Sequence, residues 1–218
     1  MTSYYMGKLG YESLKWGGLN PRKAIWYGGF YGFAYLGCVE FFDGLSKEWG
    51  ASPGDLAANT LGTALFIGQQ LAWDDQKIIL KWSFHLSDMA QYNHDQMGQS
   101  VAERMLKDYN GQTYWLSVNL AGISHSERLF PPWLNLAFGY GADGMTGASS
   151  NPDEIDGNPL PYFKRYSQFY ISPDIDLSHI RTRSKTLRLV LNAVGFIKIP
   201  MPALELSQNK LKGHLLYF

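Results

Sequence analysis

The amino-acid sequence predicts an α+β fold, in which N-terminal helices pack on or into an antiparallel β-sheet, or a partial or small β-barrel, formed by the C-terminal two-thirds. Apolar residues recur with helical spacing up to about residue 75 and then alternate with the period of a β-strand. With 218 residues, 45% of them hydrophobic and 17% charged, the chain is long and apolar enough for a folded core. We therefore expect one integrated domain, 1–218, with a helical part at 1–75 and a β-rich part with inserted helices at 76–218.

The first helix is predicted over residues 2–16, and the second runs from Pro21 to about Ser46. Proline suits the first turn of a helix because its missing N–H has no helical partner there. Gly28 and Gly32 lie four positions apart on the second helix and leave space for a neighbouring helix to approach closely. These glycines predict a tightly packed helix pair.

A third helix is capped by Ser52 and runs to about Trp73. Pro53 occupies its first position and Asp55 lies in its first turn, where a carboxylate meets free backbone N–H groups. Neither this helix nor the second offers the roughly 20 uninterrupted apolar residues that a membrane-spanning helix needs. The sequence therefore gives little support to a single membrane-spanning helix.

Alternation of period two begins at Lys77 and continues to Ser87, and it predicts a half-buried strand. One side of this strand carries Ile78, Leu80, Trp82, Phe84 and Leu86. Further strands are expected at 113–120, 134–141, 165–176, 203–207 and 211–218. Helices are expected at about 96–107 and 184–196, and an exposed loop at 147–161.

Two arrangements of this β-rich part are open. In one, the sheet buries one face under the N-terminal helices. In the other, the strands form a barrel or partial barrel at the outer membrane, for which long aromatic strands with one apolar face and a terminal Phe218 are typical. About six strands are predicted, whereas bacterial barrels begin at about eight.

Four polar residues near the bend between the second and third helices form the candidate binding site. Asp55 and Asn59 are four positions apart and share a helix face, and Glu40 and Asp43 lie three apart at the end of the second helix. Acidic side chains near a helix C-terminus interact unfavourably with the helix dipole, so they need either compensating contacts or a functional role. The group is either a polar or cation-binding site, or a set of caps and hydrogen-bonded turn residues around 44–54.

Other candidates for chemistry are weaker. Cys38 lies in an apolar helix, which predicts a buried and unreactive thiol. Asp174 and Asp176 fall on one face of a strand, but too few further oxygen ligands lie nearby for calcium. The histidines lack the paired spacing of a helical metal site, and His125 lies outside any hydrolase elbow motif. We therefore expect no catalytic residue, no metal and no cofactor, and the zero net charge gives no footprint for nucleic acid.

The bend itself carries a family resemblance. The stretches 40–46 (EFFDGLS), 49–52 (WGAS) and 55–59 (DLAAN) resemble the YfiM family of predicted periplasmic lipoproteins, and more distantly the VanZ-like membrane proteins. The stretches 108–117, 133–145, 169–176 and 199–218 resemble the longer, β-rich envelope version of that family.

The resemblance implies a location in the periplasm or at the outer membrane of a Gram-negative cell, without assigning an activity. The family usually carries an Asp-Lys-x-x-His stretch just before the position of Met1, so we expect the native reading frame to begin upstream. The predicted function is a non-catalytic envelope protein with a structural or interaction role, and envelope proteins or lipid are its expected partners. The alternative is a lipid- or cation-binding protein, or an enzyme, at the membrane interface.

Overall fold

A computed structural model describes residues 1–46, 50, 52–124, 126, 128–155 and 157–218. Trp49 and Ala51, which contribute to the family resemblance, and His125 lie outside the described residues. The chain divides into two compact units, Met1–Lys77 and Ile78–Phe218. The first unit is helical and the second contains an antiparallel sheet, which confirms the predicted α+β class. The integration of both into a single domain stays a prediction.

The described residues of the first unit form three helices: α1 (Thr2–Trp16), α2 (Pro21–Leu45) and α3 (Pro53–Trp73). The predicted bounds are confirmed because local capping chemistry sets them. The Asn20 side chain accepts the backbone N–H of Arg22 at the start of α2. The Ser52 hydroxyl accepts the backbone N–H of Asp55 at 3.2 Å, as expected of an N-cap.

Glycines on α1 and α2 allow these two helices to approach within backbone contact. A Cβ atom built on Gly28 would overlap the backbone of Tyr11, and one built on Gly32 would lie 2.6 Å from the carbonyl oxygen of Ser3. A Cβ on Gly10 would lie 2.8 Å from the carbonyl oxygen of Gly28. The predicted small-residue contact is therefore confirmed, with α1 as the partner helix.

The side of α2 that carries no glycine contact is aromatic and exposed. Its exposed large side chains include Trp26, Tyr27, Phe30, Tyr31, Tyr35, Phe41 and Phe42. Cys38 is also exposed, so the prediction of a buried thiol was wrong. The buried face of α2 is occupied by Ala24, Ile25 and the glycines, which leaves Cys38 on the outside. In the described part of the chain, none of the helices combines the length and apolar character that a membrane crossing requires.

The second unit contains eight strands and four α-helices among its described residues. The strands are β1 (Ile78–Phe84), β2 (Gln112–Asn119), β3 (Leu134–Asp143), β4 (Glu154–Ile155), β5 (Asn158–Pro159), β6 (Tyr166–Ile175), β7 (Met201–Ser207) and β8 (Lys210–Tyr217). The helices are α4 (His94–Met97), α5 (Val101–Lys107), α6 (Leu120–Ser124) and α7 (Lys185–Val194). Six of the strands form one antiparallel sheet in the order β1-β2-β3-β6-β7-β8, which we name the main sheet.

The predicted segments correspond closely to these elements, and the differences have local causes. The helix expected at 96–107 is divided into α4 and α5 at Gly98, whose φ of +93° is incompatible with a continuous helix. The loop expected at 147–161 contains the small β4–β5 hairpin. Gln208 and Asn209 both have positive φ and form the two-residue turn of the predicted C-terminal hairpin.

The main sheet is strongly curled. Strands β2 and β8 are four positions apart, which would separate them by about 19 Å in a flat sheet. The hydroxyl groups of Thr113 on β2 and Tyr217 on β8 nevertheless lie 3.0 Å apart. In addition, residues 196–198 pair with the edge of β1, where the backbone N–H of Trp82 donates to the carbonyl of Phe196 at 2.8 Å. The sheet therefore has a concave inner face and a convex outer face.

Candidate functional site

The predicted acidic site at the α2–α3 bend is held by hydrogen bonds. The Glu40 carboxylate accepts the backbone N–H of Ser52 at 3.1 Å, which ties the end of α2 to the start of α3. The backbone carbonyl of Asp43 accepts the N–H groups of Ser46 and Gly50, each at 3.0 Å. Asp55 is exposed.

These hydrogen bonds connect the end of α2 to the start of α3. Asn59 is half-buried and lies one helical turn beyond Asp55 on α3. Among the described residues, no three histidine, cysteine or acidic side chains are grouped closely enough to hold a metal ion. The role of Glu40, Asp43, Asp55 and Asn59 as a binding site stays a prediction.

The main sheet has an apolar outer face and a mostly polar inner face, which also holds a buried hydrophobic group of Trp115, Ala137, Tyr170, Ala203 and Tyr217. On β1, Ile79, Lys81 and Ser83 are buried, whereas Leu80 and Trp82 are half-buried. The side of this strand that carries more apolar residues is therefore the less buried one, the reverse of a water-soluble sheet. The same reversal recurs on the other long strands, where the buried polar residues include Thr113, Ser117, Asn119, Asn135, Gln168, Ser172, Asp174, Glu205 and Ser207.

The centre of the inner face holds a buried ionic group, the interior cluster, formed by Lys81, Ser117, Asn135, Asp174 and Lys198. Lys81 Nζ lies 2.8 Å from Asp174 Oδ2, and both side chains are fully buried. Lys198 Nζ lies 3.7 Å from the other carboxylate oxygen. The Ser117 hydroxyl donates to Asp174 at 2.6 Å, and the Asn135 amide donates to Ser117 at 2.8 Å. One carboxylate therefore serves two buried lysines.

Burial disfavours the charged form of Lys198. Its burial lowers the pKa to about 8, against which the Asp174 carboxylate acts to raise it. The ammonium group donates to the Ser172 hydroxyl and to the carbonyls of Pro173 and Ile199, and lies over the Trp115 ring at 5.0 Å from its centroid. These contacts replace the water that burial removes.

A second carboxylate, Asp176, lies at the end of β6 next to this cluster. Its burial acts to raise the pKa, but hydrogen bonds from His179 and Ser178 outweigh that effect and lower the pKa. His179 Nδ1 lies 2.7 Å from Asp176 Oδ2. Both aspartates of the stretch 174–176 therefore lie inside and are paired with cationic or hydroxyl groups.

Strand register aligns the outer-face side chains into rows across the main sheet. A central row crosses five strands and contains Leu80, Leu116, Phe138, Ile171 and Leu204. A second row lies two residues away from the central row along the strands and crosses all six strands. We name it the aromatic row, and it contains Trp82, Tyr114, Tyr140, Phe169, Leu206 and Leu211. On the other side of the central row lie Ile78, Val118, Leu136 and Pro173. Together these rows form the apolar band.

The aromatic row marks one border of the apolar band. The Tyr114 hydroxyl donates to the Gln112 side chain at 2.7 Å, and the Tyr140 hydroxyl lies 3.2 Å from the hydroxyl of Ser167. Each ring therefore has an apolar body beside the band and a polar end beside polar residues. Aromatic side chains with this arrangement border the lipid-facing surface of outer-membrane proteins.

A groove of about 510 Å³ opens where β6 and β7 diverge. Its lining includes Leu136, Ile171, Pro173, Leu204 and Leu215, so its wall is mostly apolar. Its volume falls in the range of small-molecule and cofactor pockets, about 300–1,000 Å³.

No family model, curated protein or solved structure matches this chain. The interior cluster was not among the predicted sites. A weak signal was present in the sequence, because Asp174 and Asp176 share one face of a strand. The pairing of Asp174 with Lys81 depends on the curl of the sheet, which no local pattern encodes.

Proposed function

We propose that this protein is a non-catalytic component of the Gram-negative cell envelope, which contacts the hydrocarbon of the outer membrane through the apolar band of its main sheet. The observation that carries the proposal is the reversed polarity of the sheet. A water-soluble sheet buries its apolar face and exposes its polar face, whereas lipid-facing sheets do the opposite. The YfiM-like resemblance supports the same compartment.

Exposure of the apolar band is extensive. Nine large side chains of its central and aromatic rows are more than a third exposed: Tyr114, Leu116, Phe138, Tyr140, Phe169, Ile171, Leu204, Leu206 and Leu211. A contiguous apolar surface of this kind marks a site of protein or membrane contact. The aromatic border with outward hydroxyl groups favours a membrane, since such rings occupy the boundary between acyl chains and headgroups.

The apolar band is shorter along the strands than the lipid-facing band of an outer-membrane barrel. Its three rows are spaced by two residues, so they span about 14 Å between the outermost Cα positions at 3.4 Å per residue. Outer-membrane barrels present a lipid-facing band about 25 Å tall. The proposal therefore concerns contact with the bilayer hydrocarbon and not a complete crossing.

Lipid binding is the second candidate function, and the groove beside β6 and β7 favours it. An envelope protein of this kind would retain a lipid in the groove through purification. Organic extraction of the purified protein followed by mass spectrometry tests this candidate, and a lipid-free extract would count against it.

The membrane proposal is tested by placing a charge in the centre of the apolar band. Phe138 is 47% exposed and lies in the central row. Phe138→Arg should therefore lower the free energy of unfolding in phosphatidylcholine vesicles by about 1–4 kcal/mol, since the cost of a lipid-facing arginine falls from about 2–4 kcal/mol at the bilayer midplane to about 0–1 kcal/mol near the interface. Vesicle flotation and urea unfolding followed by tryptophan fluorescence provide the measurements.

Tyr162 supplies a matched control, since it is 90% exposed and lies outside the main sheet. Tyr162→Arg should change the unfolding free energy by no more than about 0.5 kcal/mol. A wild-type chain that folds in plain buffer and does not float with vesicles would refute the proposal, as would equal effects of the two substitutions.

A further inference from the structure

A strongly basic segment joins β6 to β7. Residues 177–197 contain four arginine and lysine residues and no aspartate or glutamate, although the whole chain has 19 residues of each sign. Three of these cations, Arg183, Lys185 and Arg188, are exposed on α7 or immediately before it. The segment therefore presents a positive surface within a neutral protein.

The helix in this segment is amphipathic and uncovered. Leu187, Val190, Leu191 and Val194 follow the spacing of one helix face, whereas Lys185 and Arg188 lie on the opposite side. The structure describes every residue of α7, and none of them is buried. The helix is nevertheless well defined, because the Ser184 hydroxyl caps it by accepting the backbone N–H of Leu187 at 3.2 Å.

The connectivity places α7 at the border of the apolar band that lacks the aromatic row. The segment begins after Ile175, at the end of β6, and ends before Met201, at the start of β7. On both strands the aromatic-row residues, Phe169 and Leu206, lie toward the other end. The same two strands also line the apolar groove.

We propose that α7 lies in the headgroup layer of a lipid bilayer, with its apolar face among the acyl chains and its cations on anionic phosphate groups. The inference rests on the proposed function for the neighbouring apolar band. Basic amphipathic helices with these features bind at membrane surfaces through buried apolar area and attraction to anionic lipid. A second copy of the chain packed against the apolar face would leave the cations on the opposite side of α7 without a role, whereas an anionic bilayer surface engages both.

The experiment uses the full chain with Cys38→Ser, so that a single NBD fluorophore can be attached at a chosen cysteine. Val190→Cys places the fluorophore on the apolar face of α7, and Asn192→Cys places it on the polar face. Protein is mixed with phosphatidylcholine vesicles that contain either no phosphatidylglycerol or roughly 30 mol% of it, which makes the vesicle surface anionic. We expect a blue shift and increased NBD emission at position 190 only, and only with phosphatidylglycerol.

Charge removal provides the second arm. The triple variant R183Q/K185Q/R188Q should weaken the phosphatidylglycerol-dependent signal on the order of a hundredfold, at about fivefold for each cation near an anionic surface. The matched variant K107Q/K164Q/K210Q removes three exposed lysines outside the segment and should leave the signal unchanged.

Several outcomes would overturn the proposal: a signal independent of phosphatidylglycerol, a signal that follows protein concentration without lipid, or one reproduced by free glycerol phosphate. Co-flotation separates this result from the proposed function. Protein that floats with both vesicle types but shows no lipid-dependent signal refutes only the role of α7. Protein that floats only with anionic vesicles, in a manner that requires the three cations, supports α7 and refutes insertion of the apolar band. Protein that floats with neither refutes both.

Discussion

Removing the Asp174 carboxylate should leave two buried lysines without their counter-ion. The carboxylate lies 2.8 Å from Lys81 Nζ and 3.7 Å from Lys198 Nζ. At an effective dielectric constant of 20, these separations correspond to gross attractions of about 6 and about 4 kcal/mol. The cost of desolvating three ions offsets most of this attraction, so the net value of the group is small while the cost of breaking it is large.

We therefore expect Asp174→Asn to lower the free energy of unfolding by about 3–5 kcal/mol, the range for buried pairs that lose one partner. The amide keeps the size of the side chain and its contact with Ser117, so the loss reports the charge. Urea unfolding of the protein in detergent micelles, followed by tryptophan fluorescence and far-ultraviolet circular dichroism, gives the measurement.

Two further variants make the experiment decisive. Asp153→Asn removes an exposed carboxylate of the same unit and should cost no more than about 0.5 kcal/mol. The double variant K81M/D174L replaces the closest ion pair by apolar groups of similar length and should recover part of the lost stability. The reasoning fails if Asp174→Asn costs less than about 1 kcal/mol, or if the double variant is no more stable than the single one.

Two other predictions concern the helical unit and the end of β6. Gly28→Ala places a Cβ against the backbone of α1 and should lower the free energy of unfolding in urea by about 1–3 kcal/mol. A Cβ on Gly37 has nothing within 4 Å, so Gly37→Ala should stabilise α2 by up to about 1 kcal/mol. Equal effects of the two substitutions would contradict the glycine contact. The lowered pKa of Asp176 means that the ionised carboxylate stabilises the fold above the ordinary aspartate pKa, about 3.9, and that this stability is lost as the pH falls through the lower folded-state pKa. The stability of Asp176→Asn should therefore vary less than that of the wild type below pH 4 (about the unfolded pKa), and an identical acid dependence would show that the His179 contact is unimportant.

Local chemistry made most of the fold predictable. Ser52 and Pro53 define the start of α3 through a cap and a missing N–H, and both act within one turn of the chain. The alternation from Ile78 to Phe84 likewise identifies a strand, because side chains of a strand point to opposite faces whatever surrounds them. The helices and long strands could therefore be placed from the sequence.

The polarity of the sheet could not be predicted in the same way. Alternation shows which residues share a face, but not whether water, lipid or protein covers that face. Lys81 becomes an inner residue only because the curl brings it to Asp174 on β6, far along the chain. The same holds for the sites. The turn around Glu40 and Ser52 was visible as a local pattern, whereas the interior cluster requires five separate segments of the chain.

The pairing of residues 196–198 with β1 has a consequence for biosynthesis. β1 emerges early from the ribosome, but the carbonyl of Phe196 that covers the N–H of Trp82 is made more than a hundred residues later. Until then one border of this strand has free donors and acceptors, which are a template for aggregation. Closing a loop of that length is slow, since contacts between distant residues form late. The closing step therefore waits until residues 196–198 have been synthesised.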